Sequence, residues 1–194
     1  MRPFVALDLT DAVRAAIAEL LAGLKPTTGA VRWVRPDVLH LTLKFIGHLG
    51  EEKLPALRKA LARVGTSEPV KLEFHGVGFF PNPRSPHVFW VGVRGNDALF
   101  DLAGQIEAAL EPLGIARERR AYAPHLTLGR FKSGPGRRVD SRQLTRLQEK
   151  IAALPSVDFG HVRCEEFFLY QSKLSPGGAK YSKLERFGFI RAEN

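Results

Sequence analysis

Cysteine is almost absent from this sequence: Cys164 is the only one among 194 residues. One thiol cannot form an intrachain disulfide, and it cannot supply the paired cysteine ligands of a structural zinc site. The sequence also has no apolar run long enough to span a bilayer. Asp8 and Asp11 interrupt the first apolar stretch, which argues against a signal-like leader. From these absences we expect a soluble, cytoplasmic protein that makes no membrane contact.

Acidic residues are also scarce relative to basic ones. The chain has 20 Asp and Glu against 29 Lys and Arg, for a formal net charge of +9 and a sequence pI near 10.0. A balance this basic attracts polyanions and raises their local concentration. The composition is otherwise ordinary for a globular protein, and the length is sufficient for one core or two small lobes. The charge therefore predicts a phosphate-bearing partner.

One tetrapeptide occurs twice. Residues 40–43 and 125–128 both read His-Leu-Thr-Leu, and each copy lies in an apolar stretch, 38–46 and 122–131, that is typical of a strand. Side chains of a strand alternate between its two faces. In each copy the leucines therefore share one face, which suits a core. The histidine and the threonine share the other face.

The two copies lie 85 residues apart, and the flanking elements repeat at the same offset. A helix is predicted from about residue 11 and another from about 96, each with apolar residues at helical spacing. Each half then reads helix, His strand, helix, strands. We predict an α+β fold with two pseudo-symmetric lobes of mostly antiparallel sheet, helices on the outside and an active-site cleft between them. Residues 1–194 would form one two-lobed domain, with a His40 half and a His125 half.

Two His-x-Thr strands facing one cleft suit the hydrolysis of a cyclic phosphodiester. Water attacks phosphorus from one side while an alkoxide leaves from the other, so a base and an acid are needed on opposite sides. Histidine serves in either role because its usual pKa is about 6.5. A threonine hydroxyl can donate to a non-bridging oxygen. A single strand histidine is usually structural, but repetition of the whole tetrapeptide argues against that interpretation.

With these motifs the sequence resembles the two-histidine (2H) phosphoesterases, whose signature is a pair of His-x-Thr-x motifs. Within that superfamily it is similar to the RNA 2′,3′-cyclic phosphodiesterases, also called 2′–5′ RNA ligases. The similarity extends over essentially the whole chain, and Ala123 departs from it because relatives usually place a basic residue there. Besides the two motifs, the matching stretches are residues 4–7, 32–33, 44–47, 78–82, 88–93 and 169–181.

The resemblance implies an enzyme that opens an RNA 2′,3′-cyclic phosphate to a 2′-phosphomonoester without a metal or another cofactor. By analogy His125 is the proton acceptor and His40 the proton donor, while Thr42 and Thr127 bind the substrate. The reverse reaction would join RNA ends through a 2′–5′ linkage. The expected partner is an RNA or oligonucleotide with a 2′,3′-cyclic phosphate end, and no obligatory protein partner is inferred.

Other basic and aromatic residues follow the motifs. Phe45 and Arg130 are the fifth residues after the two histidines, so strict alternation places them on the opposite face unless a bulge intervenes. A group of arginines surrounds the second motif: Arg117, Arg119, Arg120, Arg130, Arg137 and Arg138.

Two alternative functions remain open from the sequence alone. One is a non-catalytic RNA-binding module that uses the basic cleft. The other is a phosphodiesterase acting on small cyclic nucleotides. A zinc site built on His40 and His125 would need a third ligand, and no spacing of residues indicates one.

Overall fold

The computed structural model describes residues 1–132, 140–175 and 178–189. These residues form four α-helices and nine strands. The helices are α1 (Asp11–Leu24), α2 (Leu54–Leu61), α3 (Asp97–Leu110) and α4 (Ser141–Ala152). The strands are β1 (Pro3–Leu7), β2 (Val31–Trp33), β3 (Leu41–Phe45), β4 (Val70–Phe80), β5 (Val88–Gly95), β6 (His125–Phe131), β7 (Asp158–Cys164), β8 (Glu166–Ser175) and β9 (Gly178–Gly188). No helix within the described ranges is long and apolar enough to cross a membrane.

The strands form two sheets. The first has the order β3-β1-β8-β9 and the second the order β2-β6-β5-β4-β7. Every strand pair is antiparallel. The predicted α+β class with antiparallel sheets is therefore confirmed, and the two motif strands, β3 and β6, lie in different sheets.

Each sheet takes strands from both halves of the chain, which the sequence did not predict. The second half contributes β8 and β9 to the first sheet, while the first half contributes β2 and β4 to the second. The boundary between the halves falls within the β4–β5 hairpin, whose consecutive antiparallel strands pair with each other and so place β4 in the second sheet. The pairing of β8 with β1 and with β9 places β8 and β9 in the first sheet. The two halves are therefore interleaved, not side by side.

Helices α1 and α3 begin close to the predicted residues 11 and 96. Thr10 caps α1, because its hydroxyl accepts a hydrogen bond from the backbone N–H of Val13. The buried residues of α1 lie at helical spacing: Val13, Ile17, Leu20, Leu21 and Leu24. The same apolar pattern recurs on α3, which like α1 has 14 residues. The predicted repetition of the helices along the chain is thus present in the fold.

The leucines of both motifs are buried in one hydrophobic core. Leu41, Leu43, Leu126 and Leu128 all belong to a cluster that includes residues of both sheets. The predicted orientation of each motif, leucines inward and histidine with threonine on the other face, is therefore correct. Both strands are shorter than predicted because residues 36–38 form a single 3-10 turn that begins at a proline, and another proline directly precedes β6.

One buried ion pair joins β3 to α3. The Lys44 side chain is 6% exposed, and its Nζ lies 2.6 Å from Glu107 Oε2 and 2.7 Å from the carbonyl oxygen of Ala116. Glu107 Oε2 also accepts a hydrogen bond from the backbone N–H of Glu118, at 3.2 Å. The pair therefore fixes the segment that follows α3 against the first motif strand.

We expect Lys44→Met to lower the free energy of unfolding by about 3 kcal/mol, because it leaves the Glu107 carboxylate without its ammonium partner in a largely buried position. Urea denaturation followed by circular dichroism measures this change. Adding Glu107→Leu to Lys44→Met should restore most of the loss, since no buried charge then remains.

The matched control is Arg35→Met, which removes the exposed Arg35–Asp37 pair. This change should cost less than about 1 kcal/mol. Equal losses for the buried and the exposed pair would contradict the structural role of Lys44.

Candidate active site

A cavity of about 1170 Å³ takes residues from both sheets. His40, Thr42, His125 and Thr127 all line it. His40 lies immediately before β3, and His125 is the first residue of β6. The structure therefore brings together all four site residues selected from the sequence, and it does so in the cleft that the repeat predicted.

Each of the two imidazoles is held by an equivalent hydrogen bond to a backbone carbonyl. Nδ1 of His40 lies 2.9 Å from the carbonyl oxygen of Val38, and Nδ1 of His125 lies 2.8 Å from that of Ala123. Because a carbonyl oxygen only accepts, Nδ1 must carry the proton in each ring. Each Nε2 is then the atom available for proton transfer. In both copies the acceptor is the residue two positions before the histidine.

Both motif strands carry a β-bulge at the same place. In the β1–β3 pair, Val5 lies opposite Lys44 and Ala6 opposite Thr42, so Leu43 has no partner. In the β5–β6 pair, Phe89 lies opposite Gly129 and Trp90 opposite Thr127, so Leu128 has no partner. Each bulge is the third residue after its histidine. The repeat therefore extends from the sequence to the backbone pairing.

The bulges overturn the expectation for Phe45 and Arg130. Strict alternation placed both on the face opposite the histidines, but an extra residue in a strand reverses the alternation beyond it. Phe45 and Arg130 both line the cavity, and Phe45 is 69% exposed. One half of the duplication thus contributes an aromatic ring to the cleft, and the other contributes a guanidinium at the equivalent position.

Aromatic side chains surround His40. The Phe4 ring stacks on the imidazole with 4.6 Å between centroids, and the Tyr181 ring meets it edge-on at 5.0 Å. The Tyr170 ring stacks on Phe4, with 5.2 Å between centroids, and on His40, with 5.8 Å between centroids. These contacts restrict the imidazole to one orientation and remove it partly from water.

The surroundings of His40 also set its charge. Burial lowers the pKa of His40 below its usual value, while the hydrogen bond to Val38 and the Asp8 carboxylate act to raise it, and the Arg14 guanidinium acts to lower it. The effect of burial is the largest, so the neutral imidazole is favoured in the absence of a ligand.

Asp8 is itself held in place. Its carboxylate accepts hydrogen bonds from the Tyr170 hydroxyl and from the Lys183 ammonium group. Burial, together with the hydrogen bond to Asp8, raises the pKa of the Tyr170 hydroxyl, which therefore stays protonated near neutrality.

His125 has different neighbours. The Phe80 ring meets it edge-on, with 5.1 Å between centroids. Among the residues that the structure describes, no ring stacks on His125 as Phe4 and Tyr170 stack on His40. The two histidines are therefore equivalent in backbone position and in hydrogen bonding but not in environment.

Sequence reasoning missed these aromatic neighbours. They come from strands far apart in the chain, so no local periodicity connects them. Phe4, Phe80 and Tyr181 do belong to stretches that carry the family resemblance, and this membership is the one sequence feature that could have indicated them. His87, to which the sequence assigned no role, also lines the cavity. Arg137 and Arg138 lie outside the described residues.

Metal ligands are not grouped in the part of the chain that the structure describes: it contains no set of three or more His, Cys, Asp or Glu side chains arranged to hold a metal ion. His40 and His125 thus lack a third ligand of these types among those residues. The expectation that no cofactor is needed stays a prediction.

The sequence model of the LigT-like phosphoesterases matches this chain twice, at residues 7–90 and 91–181. Among characterised relatives, an RNA 2′,3′-cyclic phosphodiesterase of Archaeoglobus fulgidus is 38% identical over 96% of this chain and 99% of its own length. One of the same name from Methanothermobacter thermautotrophicus is 36% identical over 96% and 98%.

Solved structures agree with this similarity. A crystal structure of a Thermus thermophilus protein superposes with a TM-score of 0.78 at 31% identity, over all of both chains. The structure of Escherichia coli LigT complexed with 3′-AMP superposes with a TM-score of 0.75 at 30% identity, over 98% of each chain.

We expect the His40 imidazole to titrate below its usual pKa of 6.5 in the free protein, because burial disfavours the imidazolium. Asp8→Asn should lower the pKa of His40 further, since it removes a carboxylate that favours the charged form. Long-range ¹H–¹⁵N NMR measures both titrations and reports the tautomer.

Asp37→Asn is the matched control, because Asp37 is an exposed carboxylate paired with Arg35. It should leave the titration of His40 unchanged. A pKa of His40 that stays the same or rises in Asp8→Asn would contradict this electrostatic account.

Proposed function

The chain belongs to the LigT-like phosphoesterase family of the two-histidine superfamily, and from this premise we propose that it is an RNA 2′,3′-cyclic phosphodiesterase. The substrate would be an RNA or oligonucleotide that ends in a 2′,3′-cyclic phosphate, and the product a 2′-phosphomonoester with a free 3′ hydroxyl. Relatives named for this activity match along nearly the whole chain, which supports the proposal.

The single observation that carries the proposal is the pair of equivalent imidazoles on one cavity, each with Nδ1–H bound to a carbonyl. A neutral imidazole held in this way presents a basic Nε2, and a protonated one presents an acidic Nε2–H. A phosphate between them would have a base on one side and an acid on the other. Geometry of this kind suits an in-line displacement at phosphorus.

The proposed reaction proceeds in one displacement. His125 Nε2 takes a proton from water as the new P–O bond forms. The P–O3′ bond breaks on the opposite side, and His40 Nε2–H gives its proton to O3′. The 2′ oxygen keeps the phosphate. If a 5′ hydroxyl took the place of water, the same displacement of O3′ would form a 2′–5′ linkage, with His125 taking the proton of the 5′ hydroxyl and His40 giving one to O3′.

The division of roles between the histidines follows the family resemblance. An acid must start protonated, although burial lowers the pKa of His40. The bound phosphodiester supplies a negative charge beside His40, which raises that pKa because opposite charge favours the imidazolium. Asp8 acts in the same direction. His40 would therefore gain its proton together with the substrate.

Thr42 and Thr127 are proposed to bind the phosphate. Each lies two residues after its histidine and lines the same cavity. A hydroxyl there can donate to a non-bridging oxygen, where negative charge grows as the fifth ligand of phosphorus arrives.

Phe45 and Arg130 fit the terminal nucleotide. Among the residues that the structure describes, Phe45 has the most exposed of the large apolar side chains. An aromatic ring with an open face near a phosphate site suits a nucleobase, which can stack on it. Arg130 brings a cation to the same cavity, which an anionic substrate requires.

A cytoplasmic location and the single two-lobed domain remain proposals from the sequence; the double match of the family model supports the internal duplication.

The proposed function is tested by incubating the purified protein with an RNA that carries a 2′,3′-cyclic phosphate, in excess EDTA. We expect hydrolysis to a 2′-phosphate that resists further reaction. Binding of the RNA without turnover would instead favour the non-catalytic RNA-binding alternative, and a 3′-phosphate product would contradict the proposed bond cleavage.

Replacing either histidine should remove most of this activity. We expect His40→Ala and His125→Ala each to lower kcat by about 10²- to 10⁴-fold. The double variant should be little slower than the slower single variant, because both groups act in one transition state. Thr42→Ala and Thr127→Ala should cost less, since each removes a neutral donor.

His87→Ala is the control for these variants, because His87 lines the cavity and has no role in the mechanism. It should retain most of the activity. Full activity in either His40→Ala or His125→Ala would rule out the two-histidine mechanism.

A further inference from the structure

The cavity extends from the two histidines along one face of α3. Phe100, Ala103, Gly104 and Glu107 line it, and residues at this spacing share a helix face. The two small residues leave space in the middle of the face, where a Cβ atom on Gly104 would meet no atom within 4 Å. We call this part of the cavity the α3 groove. The whole cavity, at about 1170 Å³, exceeds the 300–1,000 Å³ of typical small-molecule pockets.

Phe100 stands at one end of the α3 groove. It is 45% exposed, unlike the other large apolar residues of α3. Its ring contacts the Tyr122 ring edge-on, 6.3 Å between centroids, and the Tyr122 hydroxyl donates to the carbonyl oxygen of Thr42 at 2.9 Å. Phe100 is thus one aromatic ring removed from the first motif strand. An exposed ring so near a phosphate site suits a second nucleobase.

The two carboxylates that line the α3 groove, those of Glu107 and Glu118, both accept hydrogen bonds within the protein. Glu107 is bound by the Lys44 ammonium group at 2.6 Å. The Glu118 carboxylate accepts hydrogen bonds from the next two backbone N–H groups, at 3.0 and 3.3 Å. These contacts reduce the repulsion that either carboxylate would exert on a phosphate.

Two arginine side chains at the α3 groove can contact a bound phosphate. Arg117 and Arg120 line the cavity and are exposed. Arg117 is only loosely paired, because its Nη1 lies 3.8 Å from Glu111 Oε2 and both side chains are more than half exposed. Arg119 lies between the two arginines but does not line the cavity. Two guanidinium groups beside an open ring suit a phosphate joined to a nucleobase.

On the basis of the proposed function, we propose that the α3 groove binds the nucleotide that precedes the terminal one. Its base stacks on Phe100, and the phosphate that links it to the terminal nucleotide contacts Arg117 and Arg120. The groove is continuous with the catalytic cavity, so its occupant is the adjoining part of the same RNA strand. The enzyme therefore prefers oligonucleotides to mononucleotides.

The test compares kcat/KM for a diadenylate with a 2′,3′-cyclic phosphate end and for adenosine 2′,3′-cyclic phosphate. The wild-type ratio should be about 5- to 150-fold in favour of the dinucleotide, the range expected for one base–aromatic stack. Phe100→Ala and the double variant Arg117→Ala/Arg120→Ala should each lower this ratio towards one by raising KM for the dinucleotide. Gly104→Gln, which fills the groove, should do the same.

Arg119→Ala is the control, because it removes an arginine charge from the same segment but not from the cavity. It should keep the wild-type ratio. A wild-type ratio of one, or an equal fall in kcat/KM for both substrates in the Phe100 and Gly104 variants, would overturn the proposal.

Hydrolysis of the mononucleotide alone tests the proposed function separately from this inference. If neither substrate is hydrolysed, calorimetry with 2′-phosphorylated adenosine and 2′-phosphorylated diadenylate still decides whether the α3 groove binds a second nucleotide. Tighter binding of the diadenylate that Phe100→Ala weakens supports the groove, and equal affinities contradict it.

Discussion

The active site depends on one repeated hydrogen bond, from Nδ1–H of each histidine to the carbonyl oxygen two residues earlier. This bond fixes the tautomer and turns Nε2 towards the cavity. Because the bond is the same in both copies, it does not decide which ring is the base. The two rings do differ in their surroundings: His40 is packed among Phe4, Tyr170 and Tyr181 and lies within the influence of the Asp8 carboxylate, whereas His125 contacts Phe80. We propose that this duplicated scaffold supports two opposite proton transfers.

The repeated β-bulge extends the use of each strand. An unbulged strand presents only alternate residues, so a motif strand would offer its histidine and its threonine and nothing beyond. With Leu43 and Leu128 unpaired, the fifth residue after each histidine also reaches the cavity. Here the halves have diverged, to Phe45 in one and Arg130 in the other. We infer that proton transfer uses the residues that the two copies share and that substrate recognition uses the residues in which they differ.

The sequence predicted what is local and periodic. The His-Leu-Thr-Leu repeats indicated the inward leucines and the shared cavity, and the apolar spacing indicated α1 and α3. It did not predict the bulges, because backbone pairing and not residue type defines them: Lys44 follows one and Gly129 the other. It also missed the Lys44–Glu107 pair, whose members are 63 residues apart. The interleaving of the halves was missed because the repeat indicates two equivalent halves but not how their strands pair, and the β4–β5 hairpin crosses the boundary between them.

The central claim is that two equivalent histidines carry out opposite proton transfers in one displacement. Its most direct test uses a cyclic phosphodiester whose broken ester bond has a much better leaving group, because such a group needs no acid. Rates would be compared for wild type, His40→Ala and His125→Ala in EDTA. The account predicts that this substrate restores much of the rate of His40→Ala and leaves His125→Ala slow. Rescue of both variants, or of neither, would contradict the division into one acid and one base.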